Sequence, residues 1–168
     1  PKAWMAHNNL AVIMQQKGQL IEAKAHFKEA IRLKSDYDEA YNNLGLILQN
    51  ESKLDEAIEQ FNLLLKNNPY HLEGLNNAGL IYLAKGQIKR AKDYFLRAIR
   101  LNPGYFKAHN NLGLILARTG NWDQAIYHYK IALTLNPNAP ETHYNLGIIW
   151  AKKSHWKEAK WHLQKALA

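Results

Sequence analysis

The sequence predicts an all-α fold built as a stack of five helical hairpins. Three observations predict it. The 168 residues repeat themselves every 34 residues. Within each repeat, apolar residues twice follow the spacing of a helix face. Gly or Ser separates the two faces, and Pro closes three of the repeats. The composition, 47% hydrophobic and 21% charged, is that of an ordinary globular chain.

The repeats run 4–37, 38–71, 72–105, 106–139 and 140–168. In the first, Leu10, Ala11 and Ile13 mark one helix, Gly18 a break, and Ala23, Phe27 and Ala30 a second helix before Ser35. The second shows the spacing most fully, with Tyr41, Leu44, Gly45 and Leu48, then Ser52, then Ala57, Phe61 and Leu64, then Pro69. The third carries Ala78, Gly79 and Ile81, Gly86, then Ala91, Phe95 and Ala98 before Pro103. The fourth carries His109, Leu112, Gly113 and Leu116, Gly120, then Ala125, Tyr129 and Ala132 before Pro137. The fifth carries Leu146, Gly147 and Ile149, Ser154, then Ala159, Leu163 and Ala166. That makes ten helices. Small residues such as Gly45 and Ala57 let the two helices of a hairpin approach closely. No hairpin can bury both apolar faces alone, so each must stack on its neighbours. Trp156 falls in a column with Leu20, Leu54, Ile88 and Trp122 that reads as buried, and Trp161 on an outer face among lysines.

These columns resemble the tetratricopeptide repeat, with its aromatic, Leu-Gly, second aromatic, then Ala, Phe, Ala and Pro at set spacings. The resemblance spans the chain and implies a right-handed α-α superhelix, one array over residues 1–168. The departures are mild. The leading aromatic becomes His7, Tyr41, Leu75, His109 and His143, and the mid-repeat glycine becomes Ser52 and Ser154. Pro1 occupies the terminal-proline column of a preceding repeat, and Ala168 stops short of the next such proline. The chain therefore reads as part of a longer protein, with apolar surface left available at Leu163, Ala166 and Leu167.

Asparagine pairs recur in the first helices, at Asn8 and Asn9, Asn42 and Asn43, Asn76 and Asn77, Asn110 and Asn111, with Asn145 alone in the last. An asparagine costs about 0.6 kcal/mol against alanine inside a helix. Nine of them cost on the order of 5 kcal/mol, close to the net stability of a domain. They call for a reason. On a helical wheel the first of each pair (Asn8, Asn42, Asn76, Asn110) points away from the packed side. The resemblance implies that this side lines the concave groove of the array, where a row of amides can pair with successive backbone groups of a guest. The second (Asn9, Asn43, Asn77, Asn111, Asn145) lies at the edge, where a structural hydrogen bond is the alternative. Beside them run Val12, Leu46, Leu80, Leu114 and Ile148, and the groove ends with Tyr144, Arg118 and Lys152. Such a surface suits an amphipathic helix or an extended peptide, with Arg118 and Lys152 available to acidic groups.

The repeats are also similar to the asparagine-ladder superhelix of O-linked N-acetylglucosamine transferase. The five repeats leave no room for a catalytic domain, so the chain itself is read as no enzyme, and at most as a substrate-recruiting part of a larger one. The carboxylate clamp of some relatives is rejected, since it needs lysine where Asn8 and Asn42 stand.

The net charge of +8 raises nucleic acid as a partner. The acidic second repeat (Asp38, Glu39, Glu51, Asp55, Glu56, Glu59) interrupts any basic track and argues against it. Protein or peptide is the expected partner, with self-association through the uncapped terminal helices, into an oligomeric or membrane-associated scaffold, as the runner-up. No apolar run is long enough to span a bilayer. The compartment stays open, the cytoplasm favoured. Cysteine is absent, so thiolate metal sites and a cysteine nucleophile are excluded. His7, His109 and His143 stand whole repeats apart, and His155 and His162 lack a third ligand. No metal site and no cofactor are expected.

Overall fold

The computed structural model describes residues 2–167, and every regular element among them is an α-helix. In order they are α1 (Ala3–Gln16), α2 (Leu20–Leu33), α3 (Asp38–Asn50), α4 (Leu54–Asn67), α5 (Leu72–Ala84), α6 (Ile88–Leu101), α7 (Phe106–Arg118), α8 (Trp122–Leu135), α9 (Pro140–Lys152) and α10 (Trp156–Ala166). Four of them begin on the first residue of a 34-residue repeat, at Asp38, Leu72, Phe106 and Pro140. The proline-column position of Pro1 and the chain's last residue, Ala168, lie outside the described residues.

Each first helix ends the same way. The residue at the break takes a left-handed conformation, with φ of 76° at Gly18, 71° at Gly86 and 80° at Gly120. The next backbone N–H then reaches the carbonyl five residues back, as Gln19 does to Met14 at 2.9 Å and Asn121 to Leu116 at 2.8 Å. This double-bonded C-terminus satisfies carbonyls that the helix leaves open. Ser52 and Ser154 adopt the same conformation at φ 60° and 62° without glycine's freedom. Helices α4, α6 and α8 stop ahead of Pro69, Pro103 and Pro137, with Asn68 (φ −132°, ψ 87°) and Asn136 (φ −138°, ψ 88°) outside the α region that a following proline disfavours.

The chain divides into two compact units, α1–α5 up to Gln87 and α6–α10 from Ile88. In the first, α1 packs on α2 and α3 on α4, while α2 and α4 also cover the first helix of the following repeat. Ala23, Phe27, Ala30, Leu44, Ile47, Ala57, Phe61 and Leu64 form its core. The approach at Gly45 is close enough that a Cβ there would stand 2.8 Å from the Phe61 ring. In the second unit α7 pairs with α8 and α9 with α10, around Leu112, Ile115, Ala125, Tyr129, Leu146 and Ile149.

Two expectations about burial need correction. Leu10 and Ile13 belong to packing columns, yet they are 39% and 48% exposed, whereas Leu44 in the same column is 1% exposed. The second helix of the preceding repeat covers that column, and α1 is the first helix described. Trp156 is 67% exposed instead of buried. Its counterpart Trp122 is half-covered by α9, whose Lys152 ammonium lies 6.0 Å from the indole centroid. No described helix follows α10 to do the same.

Candidate interaction groove

In the second unit, α7 and α9 turn a common face outward and leave a cavity of about 250 Å³ between them. Leu114, Ala117 and Arg118 line it from α7, at the three- and four-residue spacing that keeps side chains on one helix face. Tyr144, Asn145, Ile148, Ile149 and Lys152 line it from α9, and α8 contributes Trp122 and Tyr129. Tyr144 is 53% exposed, and Arg118 and Lys152 stand exposed at the rim. No carboxylate lines this cavity. Tyr129 takes the place that Phe27, Phe61 and Phe95 hold in other repeats, and its fully buried hydroxyl makes no hydrogen bond. Burial pushes its pKa upward, so the phenol stays protonated and available as a donor.

The first unit carries a groove of opposite character. Lys34, Asp36, Tyr37, Asp38, Glu39, Asn42, His71 and Glu73 line about 500 Å³ there. Tyr37 donates to Glu39 at 2.5 Å, and its pKa is pushed up to about 12, by burial first and by that carboxylate second.

The amides divide by burial. Asn8, Asn76, Asn77 and Asn111 are buried, while Asn42, Asn43, Asn110 and Asn145 are half-buried. Several are engaged with the next repeat. Asn77 Nδ2 donates to Asn42 Oδ1 at 3.1 Å, and Thr142 Oγ1 donates to Asn110 Oδ1 at 2.9 Å. Asn76 Nδ2 reaches Asn77 Oδ1 at 3.4 Å. Asn77 thus serves Asn42 of the repeat before it, a contact that the wheel of a single helix does not display. Asn8 is 1% exposed, and neither amide atom finds a partner. Val12, Leu46, Leu80, Leu114 and Ile148 are all half-buried. Of the residues expected in the groove, the α7–α9 cavity brings together Leu114, Arg118, Tyr144, Asn145, Ile148 and Lys152.

Sequence reasoning missed one contact altogether. His7, His109 and His143 each meet a histidine of the partner helix, His26, His128 and His162. The signal was present, because the repeats with histidine in the first column are those with histidine 19 residues later. Among the described residues there is no cluster of three or more metal-ligating side chains, and no helix long and apolar enough to cross a membrane.

Comparison with known proteins agrees with this architecture. Family models described as tetratricopeptide repeat match residues 38–71 and 76–140, and a third, described as TPR repeat, matches 15–52. The chain belongs to the tetratricopeptide-repeat family, and the match over 38–71 falls on the second repeat as the period defines it. Among solved structures, PilF of Pseudomonas aeruginosa superposes with a TM-score of 0.88 at 22% identity, over 98% of this chain and 75% of that one. MamA superposes at 0.79 with 24% identity, over 94% and 92%. YrrB, described as a tetratricopeptide protein with an unusual peptide-binding site, superposes at 0.72 with 25% identity, over 96% and 83%. Among curated proteins no sequence match is found.

Proposed function

We propose that the chain is a protein-interaction scaffold whose guest, a peptide or amphipathic helix, lies along the exposed face of the first helices. The observation that carries this reading is the α7–α9 cavity. It combines an exposed aromatic, an apolar floor and two cations without a carboxylate. An apolar guest side chain fits between Leu114 and Ile148, and a neighbouring carboxylate of the guest pairs with Arg118 and Lys152. Asn110 and Asn145 supply amides to the backbone of a guest on the second unit, and Asn42 and Asn43 to that of a guest on the first, while buried Asn77 binds its repeat to the one before it. The peptide-binding site of YrrB supports the class of partner, since that structure is a relative in fold.

A random-peptide display selection tests the reading, run against the chain and against a Tyr144→Ala, Lys152→Ala variant of unchanged helicity. Peptides rich in acidic and apolar residues are expected, with binding weakened at least tenfold in the variant, the loss expected of about 1.4 kcal/mol or more from an aromatic anchor and an ion pair. Equal binding to both proteins contradicts the reading.

A further inference from the structure

The chain's net positive charge is carried entirely by its second unit. Residues 1–87 hold 9 lysines and arginines against 10 aspartates and glutamates, while residues 88–168 hold 13 against 4. With histidine neutral, the two units therefore carry −1 and +9. Most of the excess stands on second helices. Together α6, α8 and α10 carry nine of the 13 cations and three of the 4 acids, whereas α2 and α4 carry four cations and five acids.

Helical spacing collects this charge into stripes. Lys89, Arg97 and Arg100 on α6, and Lys157, Trp161 and Lys165 on α10, recur at steps of three, four and eight residues, so each set lies along one side of its helix. That side points away from the buried Ala91, Phe95 and Ala98 of α6 and Ala159 of α10. All six residues are exposed except the half-buried Arg97. Between the two stripes lies α8, which flanks a cavity of about 610 Å³ with α6 and packs on α9 as α10 does.

This side is open even where a further repeat follows. Tyr127 holds on α8 the place that Trp161 holds on α10, and it is 62% exposed although α9 and α10 come after it. The other second helices have Ala25, Glu59 and Asp93 there, so the outward aromatic belongs to α8 and α10 alone. Of the acids on this side, Asp123 already holds the Lys153 ammonium at 2.5 Å.

We propose that the outward face of α6, α8 and α10 docks on the surface of a bilayer rich in anionic phospholipid. Its lysines and arginines meet the lipid phosphates, and Trp161 and Tyr127 seat their rings among the headgroups, where an apolar body with one polar tip is at home. The contact is with the surface alone, since no described helix is long and apolar enough to cross a membrane. The same cations would suit a single-stranded nucleic acid, but Trp161 is poorly placed to stack on a base. The Lys165 ammonium lies 5.9 Å from its ring centroid, and the imidazoles of His162 and His143 stand at 4.7 and 5.6 Å, set across it at 87° and 68°. Stacking needs a bare ring face, whereas a headgroup needs only the exposed part of the ring. None of the six stripe residues lines the α7–α9 cavity, so this face is separate from the proposed guest site.

Vesicle flotation of the whole chain tests the proposal, with vesicles of phosphatidylcholine alone and of phosphatidylcholine mixed equally with phosphatidylglycerol. Binding to the mixed vesicles only is expected, and raised salt weakens it. The double variant Lys157→Glu, Lys165→Glu is expected to weaken that binding by about tenfold or more, because each cation near an anionic surface adds its own attraction. Lys28→Glu, Lys66→Glu changes two exposed lysines of the first unit and the net charge by the same amount, and is expected to leave binding little altered. Tryptophan fluorescence is a second readout. Emission shifts to the blue on binding, and Trp161→Phe removes that share of the shift with helicity unchanged. No binding to the mixed vesicles, equal losses in the two lysine variants, or binding of oligouridylate without binding of vesicles overturns the proposal.

Discussion

At the scale of the residue, the breaks between paired helices set local stability. Gly18, Gly86 and Gly120 sit at positive φ, and a Cβ added at any of them would meet no atom within 4 Å. Whatever a substitution costs there belongs to the backbone alone. Ser52 and Ser154 bear that cost already. Ser52→Gly and Ser154→Gly are each expected to stabilise the chain by about 0.5–1 kcal/mol, and Gly86→Ala to destabilise it by about 1 kcal/mol. Chemical denaturation of the three variants measures all of this, and a loss of stability in both serine variants would contradict the strain.

At the scale of the element, the asparagines act between helices. Asn77 on α5 donates to Asn42 on α3, so Asn77→Ala is expected to cost about 1 kcal/mol. Asn8 on α1 is buried with neither amide atom paired. Leucine has nearly the same shape, and Asn8→Leu is expected to stabilise by about 1–2 kcal/mol by removing the unpaired polar group. Opposite signs at two positions that look alike in the sequence, read from shifts in denaturation midpoint, are the expected result. Here the limits of the sequence are plain. The helices, their breaks and the Ala23, Phe27, Ala30 type of core were legible, because a period of 34 lets five copies vote on every position. The burial of Asn8 and the exposure of Leu10 and Ile13 were not, because each depends on what the neighbouring repeat covers. The histidine pairs were legible only as a correlation between two columns, and a column-by-column reading passes over it.

At the scale of the whole molecule, repetition leaves the same first-helix face open in repeat after repeat, and the side chains on it differ locally. The first unit's groove around Asn42 is acidic, with Asp36, Asp38, Glu39 and Glu73, and the α7–α9 cavity is cationic and apolar. A scaffold built this way is expected to distinguish partners by which repeat they engage, because electrostatic complementarity sets register and rejects like-charged guests. On the proposed reading, acidic peptides are expected on the second unit and basic ones on the first. The most direct measurement is a backbone chemical-shift titration of the labelled chain with a short peptide carrying one acidic and one apolar residue. The largest shifts are expected at Leu114, Arg118, Tyr144, Asn145, Ile148 and Lys152. Shifts confined to the second helices, or spread evenly over the chain, would contradict a guest site on the α7–α9 face.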